Sequence, residues 1–584
     1  MTRALLAAGF AVAFGVALYV PGLGAVPFYD KGEPREVLSL VAQRETGNWI
    51  LPLTGGTTVP SKPPLLRWLG GLVVAATGRL DETAARLPSA LLAVAAVTAT
   101  AAAAALRFGV AAGIAAAIVL GTAWGWAPAA REARVDMALA ACLTVSLLAL
   151  ERSCRTPGPP PRGALLVMYA SAATAVLAKG PVGIAIPGLV GLLYLTARRN
   201  LGRLRHMRLV AGAAIVLVLA GGWYAAAAWQ GGEAFVARQL GHENVARFLG
   251  GETRTSHGKP FYYYGPAFLL GFLPWTVLLV PAAVQIVMLR ARLDACGLLF
   301  PLLWLAGVVG FYSLAAGKRS VYLLPAYPAA ALVVSALFDP RLNGRTALGR
   351  SSAVLRAVVW LLVAALTTAV LGVLLAGADS GLVAEWLHPK DRRGLDAVIG
   401  LAREHAAATL AALGVLVGAL AVVLVGLRRA SPPVVLAGAG AIAVAVVLVA
   451  IHVVEPALGR ERSLREFAGR VAARVPRDAE LRFVGPPNGG MRFYLGRPLA
   501  MARRPVYQAD DPLRCRYLLV WKSRWRRMRP EIRARLEPVL KSRGRGPEGN
   551  DRLLLARVPS PACGPPLAAA AHCTRRRPVR AEKA

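Results

Sequence analysis

The feature that most limits what this chain can fold into is its row of apolar segments. From residue 4 to about residue 452, stretches long enough to cross a hydrocarbon core, roughly 20 residues each, follow one another with short breaks. Thirteen spans are expected, near 4–22, 85–106, 109–127, 136–150, 164–178, 182–197, 209–229, 266–289, 297–316, 321–337, 357–377, 406–427 and 434–452. A soluble chain of 584 residues would carry more than 17% charged residues, and a mean hydropathy of +0.51 is foreign to one. The expected class is an all-α polytopic membrane protein. Residues 64–78 are apolar but short and flanked by Arg67 and Arg79, which suits a helix lying in the interface. The apolar start, residues 4–20, leads on without an evident small-residue cleavage site and reads as an uncleaved anchor.

Charge in the breaks gives the segments a direction. Alternate loops (107–108, 151–163, 198–208, 290–296, 338–356 and 428–433) hold clustered arginines and only three acids, Glu151, Asp294 and Asp339. The loops between them carry mixed charge, including Glu33, Glu36, Glu132, Asp136, Glu233, Glu243 and Asp379. Basic loops mark the cytoplasmic side, so a cytoplasmic N-terminus and an outer C-terminal tail are expected. This topology also accounts for much of the net charge of +37, which would otherwise suggest nucleic acid. No nucleic-acid partner is expected.

Beyond residue 452 the pattern changes. Leu481–Val484 and Tyr517–Trp521 read as strands, and 463–475 and 529–541 as amphipathic helices. The expected division is a membrane domain over 1–452, whose first outer loop is 23–84, a small extracytoplasmic α/β domain over 453–557, and a disordered tail over 558–584. The six cysteines include no CxxC pair, so neither a zinc nor a redox signature is present. Cys142, Cys154 and Cys296 read as packing residues; Cys515, Cys563 and Cys573 lie where a disulfide is permitted. No cofactor is expected, and nothing supports a divalent metal.

Ionisable groups gather at the outer ends of the spans. The stretch from Phe28 to Trp68 opens with Asp30, Lys31, Glu33, Arg35 and Glu36 and continues to the Lys62-Pro63-Pro64 corner. Arg131 to Asp136, with Arg134 between, enters the fourth span. Lys179-Gly180-Pro181 turns between the fifth and sixth. A long loop carries His257, Lys259 and Tyr262–Tyr264, and Lys318-Arg319 precedes Tyr322. Carboxylates, cations and an aromatic rim at membrane level suit a substrate with a phosphate head and a long apolar tail. Plainer roles exist for several of them. Glu36 falls within the helical run and reads as part of a solvated face, Asp136 could cap its helix, Lys179 could anchor at the interface, and the tyrosines could be an aromatic belt.

These motifs resemble the lipid-dependent membrane glycosyltransferases of the C-type fold, the family of the lipid A aminoarabinose transferase and the protein O-mannosyltransferases. In that family the first loop runs Asp-Glu-x-Arg-Tyr-Ala, then Gly-Asp-Trp, then Glu-Lys-Pro. Here Gly32-Glu33-Pro34-Arg35, Gly47-Asn48-Trp49 and Ser61-Lys62-Pro63 fall at the same spacing. Arg86-Leu87-Pro88-Ser89, Arg134-Val135-Asp136, Lys179-Gly180-Pro181, Lys259-Pro260-Phe261-Tyr262-Tyr263 and Tyr322-Leu323-Leu324-Pro325 follow in the family's order. The resemblance covers roughly residues 5–340. Two positions depart from it: the family's first acid is Gly32 here, and its Glu before Lys-Pro is Ser61.

The resemblance implies transfer of a sugar from a polyprenyl-phosphate donor to an envelope lipid, glycan or protein acceptor, at the outer face of a bacterial inner membrane. Glu33, or Asp30 in its place, is the expected general base. Lys62, Lys259, Lys318 and Arg319 are expected to hold the donor phosphate, with Arg35, Arg134, Asp136, Lys179, His257, Tyr263 and Tyr322 around the substrate. The competing class, a lipid or polysaccharide transporter or flippase, needs polar lining along the spans, and the chain has almost none. A third, a structural assembly protein with an outer sensor domain, rests on the tail alone.

Overall fold

The computed structural model describes residues 2–29, 32–156, 158–239, 241, 259–375, 406–485, 488–497, 499–502, 516–546 and 551–558. By internal contacts the chain divides into two compact units, Met1–Arg460 and Glu461–Ala584. The first is helical. Its opening elements are α1 (Thr2–Tyr19), α2 (Gly32–Thr46), α3 (Leu65–Thr77), α4 (Glu82–Phe108), α5 (Val110–Thr122), α6 (Ala127–Ala130), α7 (Val135–Arg155), α8 (Arg162–Lys179) and α9 (Val182–Ala197).

Helices stand at each of the thirteen expected segments. Among the described residues six are long and apolar enough to cross a bilayer, or seven if one bent pair counts as a single span. That pair is a correction. The expected continuous span 266–289 is two helices, Phe261–Gly271 and Trp275–Met288, meeting at 104°. Proline at 274 has no amide hydrogen to carry the helical ladder across the break. The freed backbone finds partners in the chain between α5 and α6: Gly125 N–H donates to the Gly271 carbonyl at 2.6 Å, and Trp124 N–H to that of Leu273 at 3.0 Å. A Cβ on Gly271 would collide with the Tyr327 hydroxyl, so the bend needs glycine there.

Alanine makes the bundle close-packed. In lipid there is little hydrophobic drive between helices, and small side chains let backbones approach. On α4 the methyls of Ala90, Ala93, Ala96, Ala101 and Ala104 are all fully buried, against α1, α5 and α7. The short helix α3 packs on α2 and α4.

The second unit is a five-stranded sheet with short helices. The strands are β1 (Glu480–Val484), β2 (Ala500–Ala502), β3 (Arg516–Trp521), β4 (Glu537–Lys541) and β5 (Leu553–Val558), in the order β2-β1-β3-β5-β4. β2, β1 and β3 are parallel, while β5 is antiparallel to both β3 and β4. Helix Arg465–Arg474 lies within the expected 463–475. The expected helix 529–541 is not one element: it is helical only over Pro530–Ala534 and then becomes β4. Pro538 interrupts helix, and an edge strand tolerates it because one side of the ladder goes unpaired. The expected tail 558–584, apart from Val558, lies outside the described residues, as do Cys515, Cys563 and Cys573.

Candidate active site at the acidic ends of the helices

Two buried arginines fix the start of the first loop. Arg86, in the first turns of α4, donates from Nη1 to the carbonyls of Leu23 (2.8 Å) and Val26 (2.7 Å). Arg131 donates to those of Tyr19 and Pro21, both at 2.8 Å, and pairs with Glu455 at 3.8 Å. Burial lowers the pKa of Arg131, and Glu455 opposes the shift.

Glu33 completes this frame. It is 2% exposed and bound in a two-point pair, Arg86 Nε to Oε1 at 2.8 Å and Nη2 to Oε2 at 2.9 Å. Ala133 N–H donates to the same Oε1 at 2.9 Å. One carboxylate thus joins α2, α4 and the strand-like approach to α7, and both its oxygens are engaged within the protein. Asp30, the other expected base, and His257 lie outside the described residues.

Helical geometry then decides what the neighbouring positions face. Glu33, Val37 and Leu40 form the buried stripe of α2. Residues four apart share a face, so Gly32, Glu36 and, two turns on, Gln43 lie along one flank. Gln43 accepts from Arg67 Nε of α3 at 3.1 Å, so this flank is turned toward α3 and the Lys62 corner. Glu36 is therefore no solvated residue, contrary to its sequence reading: it is partly buried. Burial pushes its carboxyl above the usual 4.5; Lys62, Arg35 and Arg67 act against the rise, and Asp136 adds to it.

Asp136 stands in the first turn of α7 and Lys179 in the last turn of α8, and the two form an ion pair. Antiparallel neighbours set a helix N-terminus beside a C-terminus, where the backbone dipoles favour this placement of signs. Lys179 also lies over the Tyr322 ring, 4.0 Å from its centre. Tyr322 is 5.3 Å from Tyr312, which is 6.3 Å from Tyr264, which is 5.2 Å from Tyr263. Lys259 caps the row, 3.9 Å over Tyr263. The aromatic groups are thus a continuous wall leading away from Asp136.

The remaining cations divide. Arg134 pairs with Glu132 at 2.7 Å. Lys318 is 6% exposed and donates to the Ala315 carbonyl at 2.7 Å, closing a turn, whereas Arg319 is exposed and its N–H meets the Tyr264 hydroxyl at 3.2 Å. Lys62 is partly buried and in electrostatic reach of both Glu36 and Asp136, and Arg35 is exposed. Sequence reasoning missed Arg131 with Glu455, the work of Arg86, and Tyr312. The Arg86 motif was visible, but its partner Glu33 lies 53 residues away. Among the described residues no group of three or more His, Cys, Asp or Glu could hold a metal.

The model of the dolichyl-phosphate-mannose-protein mannosyltransferase family matches residues 61–224. An undecaprenyl phosphate-alpha-4-amino-4-deoxy-L-arabinose arabinosyl transferase of Pseudomonas fluorescens is 39% identical over 123 residues, 21% of each chain. One from Erwinia tasmaniensis is 35% identical over 148 residues, 25% of each. The crystal structure of ArnT from Cupriavidus metallidurans bound to undecaprenyl phosphate superposes with a TM-score of 0.72 at 21% identity, over 95% of this chain and 98% of that one. The family resemblance read from the sequence holds. The segments matched in sequence span only about a fifth to a quarter of those curated relatives. The likeness of fold to ArnT runs almost end to end.

Proposed function

We propose that the chain is a membrane glycosyltransferase that moves a sugar from a polyprenyl-phosphate donor to an envelope lipid, glycan or protein acceptor. The observation that carries the reading is the convergence of Glu36, Lys62, Asp136 and Lys179 on one end of the helical bundle, beside a wall of tyrosines. The curated relatives, which by name use an undecaprenyl-phosphate-linked sugar, support it.

In the proposed step the acceptor hydroxyl attacks the anomeric carbon, the bond from that carbon to the phosphate oxygen breaks, and the acceptor proton passes to a carboxylate. We assign that carboxylate to Glu36. It lies one turn along from Gly32 on the same flank of α2, so the acid absent from the family's position is supplied from the adjacent turn. Glu33 would hold the frame instead, and Asp30 stays a second candidate by sequence. Lys62, Arg319 and Lys259 would hold the departing phosphate and stabilise its charge, Lys179 would be set by Asp136, and Tyr263 and Tyr322 would line the path of the lipid or sugar. With a phosphate as acceptor no base is needed, and Glu36 would position it. The proposed topology is thirteen crossings in a bacterial inner membrane, with the N-terminus cytoplasmic and the second unit outside. Incubating the purified protein with radiolabelled polyprenyl-phosphate sugars and membrane extract tests the class. Label moving to no acceptor from any donor would refute it.

A further inference from the structure

A second polar site lies at the opposite ends of the same helices. Arg155 lies nineteen positions beyond Asp136 along α7, about 28 Å at 1.5 Å per residue. A cavity of about 730 Å³ opens here between the ends of α4, α7 and α8 and the chain at 295–297. Its contents are divided by polarity. Ala99, Ala102 and Ala103 of α4 form one wall, and their small side chains leave a furrow along the helix. Leu106 and Val167 stand at its mouth, 63% and 44% exposed.

At the end of the furrow three guanidiniums, Arg107, Arg152 and Arg155, meet a single acid, Glu151. Glu151 is 1% exposed and already shared: it pairs with Arg107 and, at 3.3 Å, with Arg155. Two positive charges are therefore left over. Arg107 Nη1 is buried without a hydrogen-bond partner, and Arg152 is exposed and makes no ion pair among the described residues. A Cβ built on Gly297 would lie 3.1 Å from Arg155 Nη1, and the φ of +77° there favours glycine.

We propose that this cavity binds an anionic glycerophospholipid, its phosphate between Arg107 and Arg152 and an acyl chain along the alanine wall. A buried donor lacking an acceptor and an excess of two cations call for an anion. The exposed apolar mouth and the furrow call for a chain attached to it. Basic pockets between membrane helices commonly hold such headgroups. The site is separate from the transfer chemistry and does not depend on it.

The test is native mass spectrometry of the full chain released from vesicles of equal parts phosphatidylglycerol and phosphatidylcholine. The wild type should retain phosphatidylglycerol in preference. Arg152→Ala should cut that retention about fivefold, the worth of one cation near a lipid phosphate, and Ala103→Phe should remove it by filling the furrow. Arg152 is exposed, so its variant keeps the fold even where Ala103→Phe does not. Equal retention of both lipids, retention unchanged by Arg152→Ala, displacement by inorganic phosphate alone, or displacement by undecaprenyl phosphate would each overturn the proposal.

Discussion

Glu33 and Glu36 sit three residues apart on one helix, and the structure gives them opposite responses to the same change. Glu33→Gln removes the charge from a buried pair whose partner, Arg86, also holds the Leu23 and Val26 carbonyls. Removing one partner of such a pair costs about 3–5 kcal/mol, because the other charge stays buried. Unfolding entropy of about 2.1 cal/mol/K per residue gives a unit of this length, Met1–Arg460, about 1 kcal/mol/K. Glu33→Gln should then lower the unfolding midpoint by about 3–5 °C. Glu36→Gln should act the other way. A carboxyl whose pKa is raised by folding binds its proton more tightly in the folded state, so its ionisation costs stability above the usual 4.5. At neutral pH the neutral amide should be as stable as wild type or more so, while transfer falls about a hundredfold or further. The assay pairs thermal unfolding in detergent with turnover per folded molecule. A Glu33→Gln protein as stable as wild type but inactive, beside a fully active Glu36→Gln, would refute both assignments.

The other predictions use the same protein. The acid limb of kcat/KM should lie above pH 4.5, because the base must be ionised and burial raises Glu36, and Glu36→Gln should abolish that limb; a limb unchanged in the variant assigns it elsewhere. Replacing Lys62 and Arg319 together by Ala should weaken donor binding without loss of folded protein, whereas Lys318→Ala should lower stability, since its ammonium closes a buried turn; equal donor affinity in the double variant returns both cations to interfacial anchors. Reporter fusions at 158, 203 and 345 should read as cytoplasmic and those at 45, 250 and 520 as outside, and a cytoplasmic reading at 520 would mean an even number of crossings.

Much of the fold was legible because hydropathy is a one-dimensional signal: each expected apolar segment contains a helix. The bend at 271–275 was not, since Pro274 in an apolar run is compatible with a kink, a break or an unbroken helix until the backbone of Trp124 and Gly125 comes to meet it. β4 was misread for a related reason. The charge pattern of 529–541 suits a helix, and only the pairing with β5 turns its second half into strand. At the site, residue types and their order were readable, and Asp136, Lys179 and Tyr322 do come together. Which carboxylate faces inward and which faces the Lys62 corner was not, because that depends on the rotation of α2. The rotation is set by Arg86, from a helix whose contact with Glu33 leaves no local trace.

That rotation bears on why the acid can move. Glu33 locks α2 against α4 and Ala133, and with the lock in place positions 32 and 36 both stay on the flank toward Lys62. A carboxylate transferred from 32 to 36 keeps its face and shifts by four residues, about 6 Å along the axis. The frame therefore tolerates relocation of the acid, whereas a change at Glu33 or Arg86 would turn the flank itself. The displaced acid also meets different neighbours: Lys62 follows Ser61 where the family has Glu, and the lysine acts electrostatically on Glu36 and Asp136. Restoring the family pattern, with Gly32→Asp and Glu36→Tyr together, should thus retain donor binding but change which acceptor is used. Unchanged acceptor selectivity in that double variant would mean that the acid's depth in the site does not choose the acceptor.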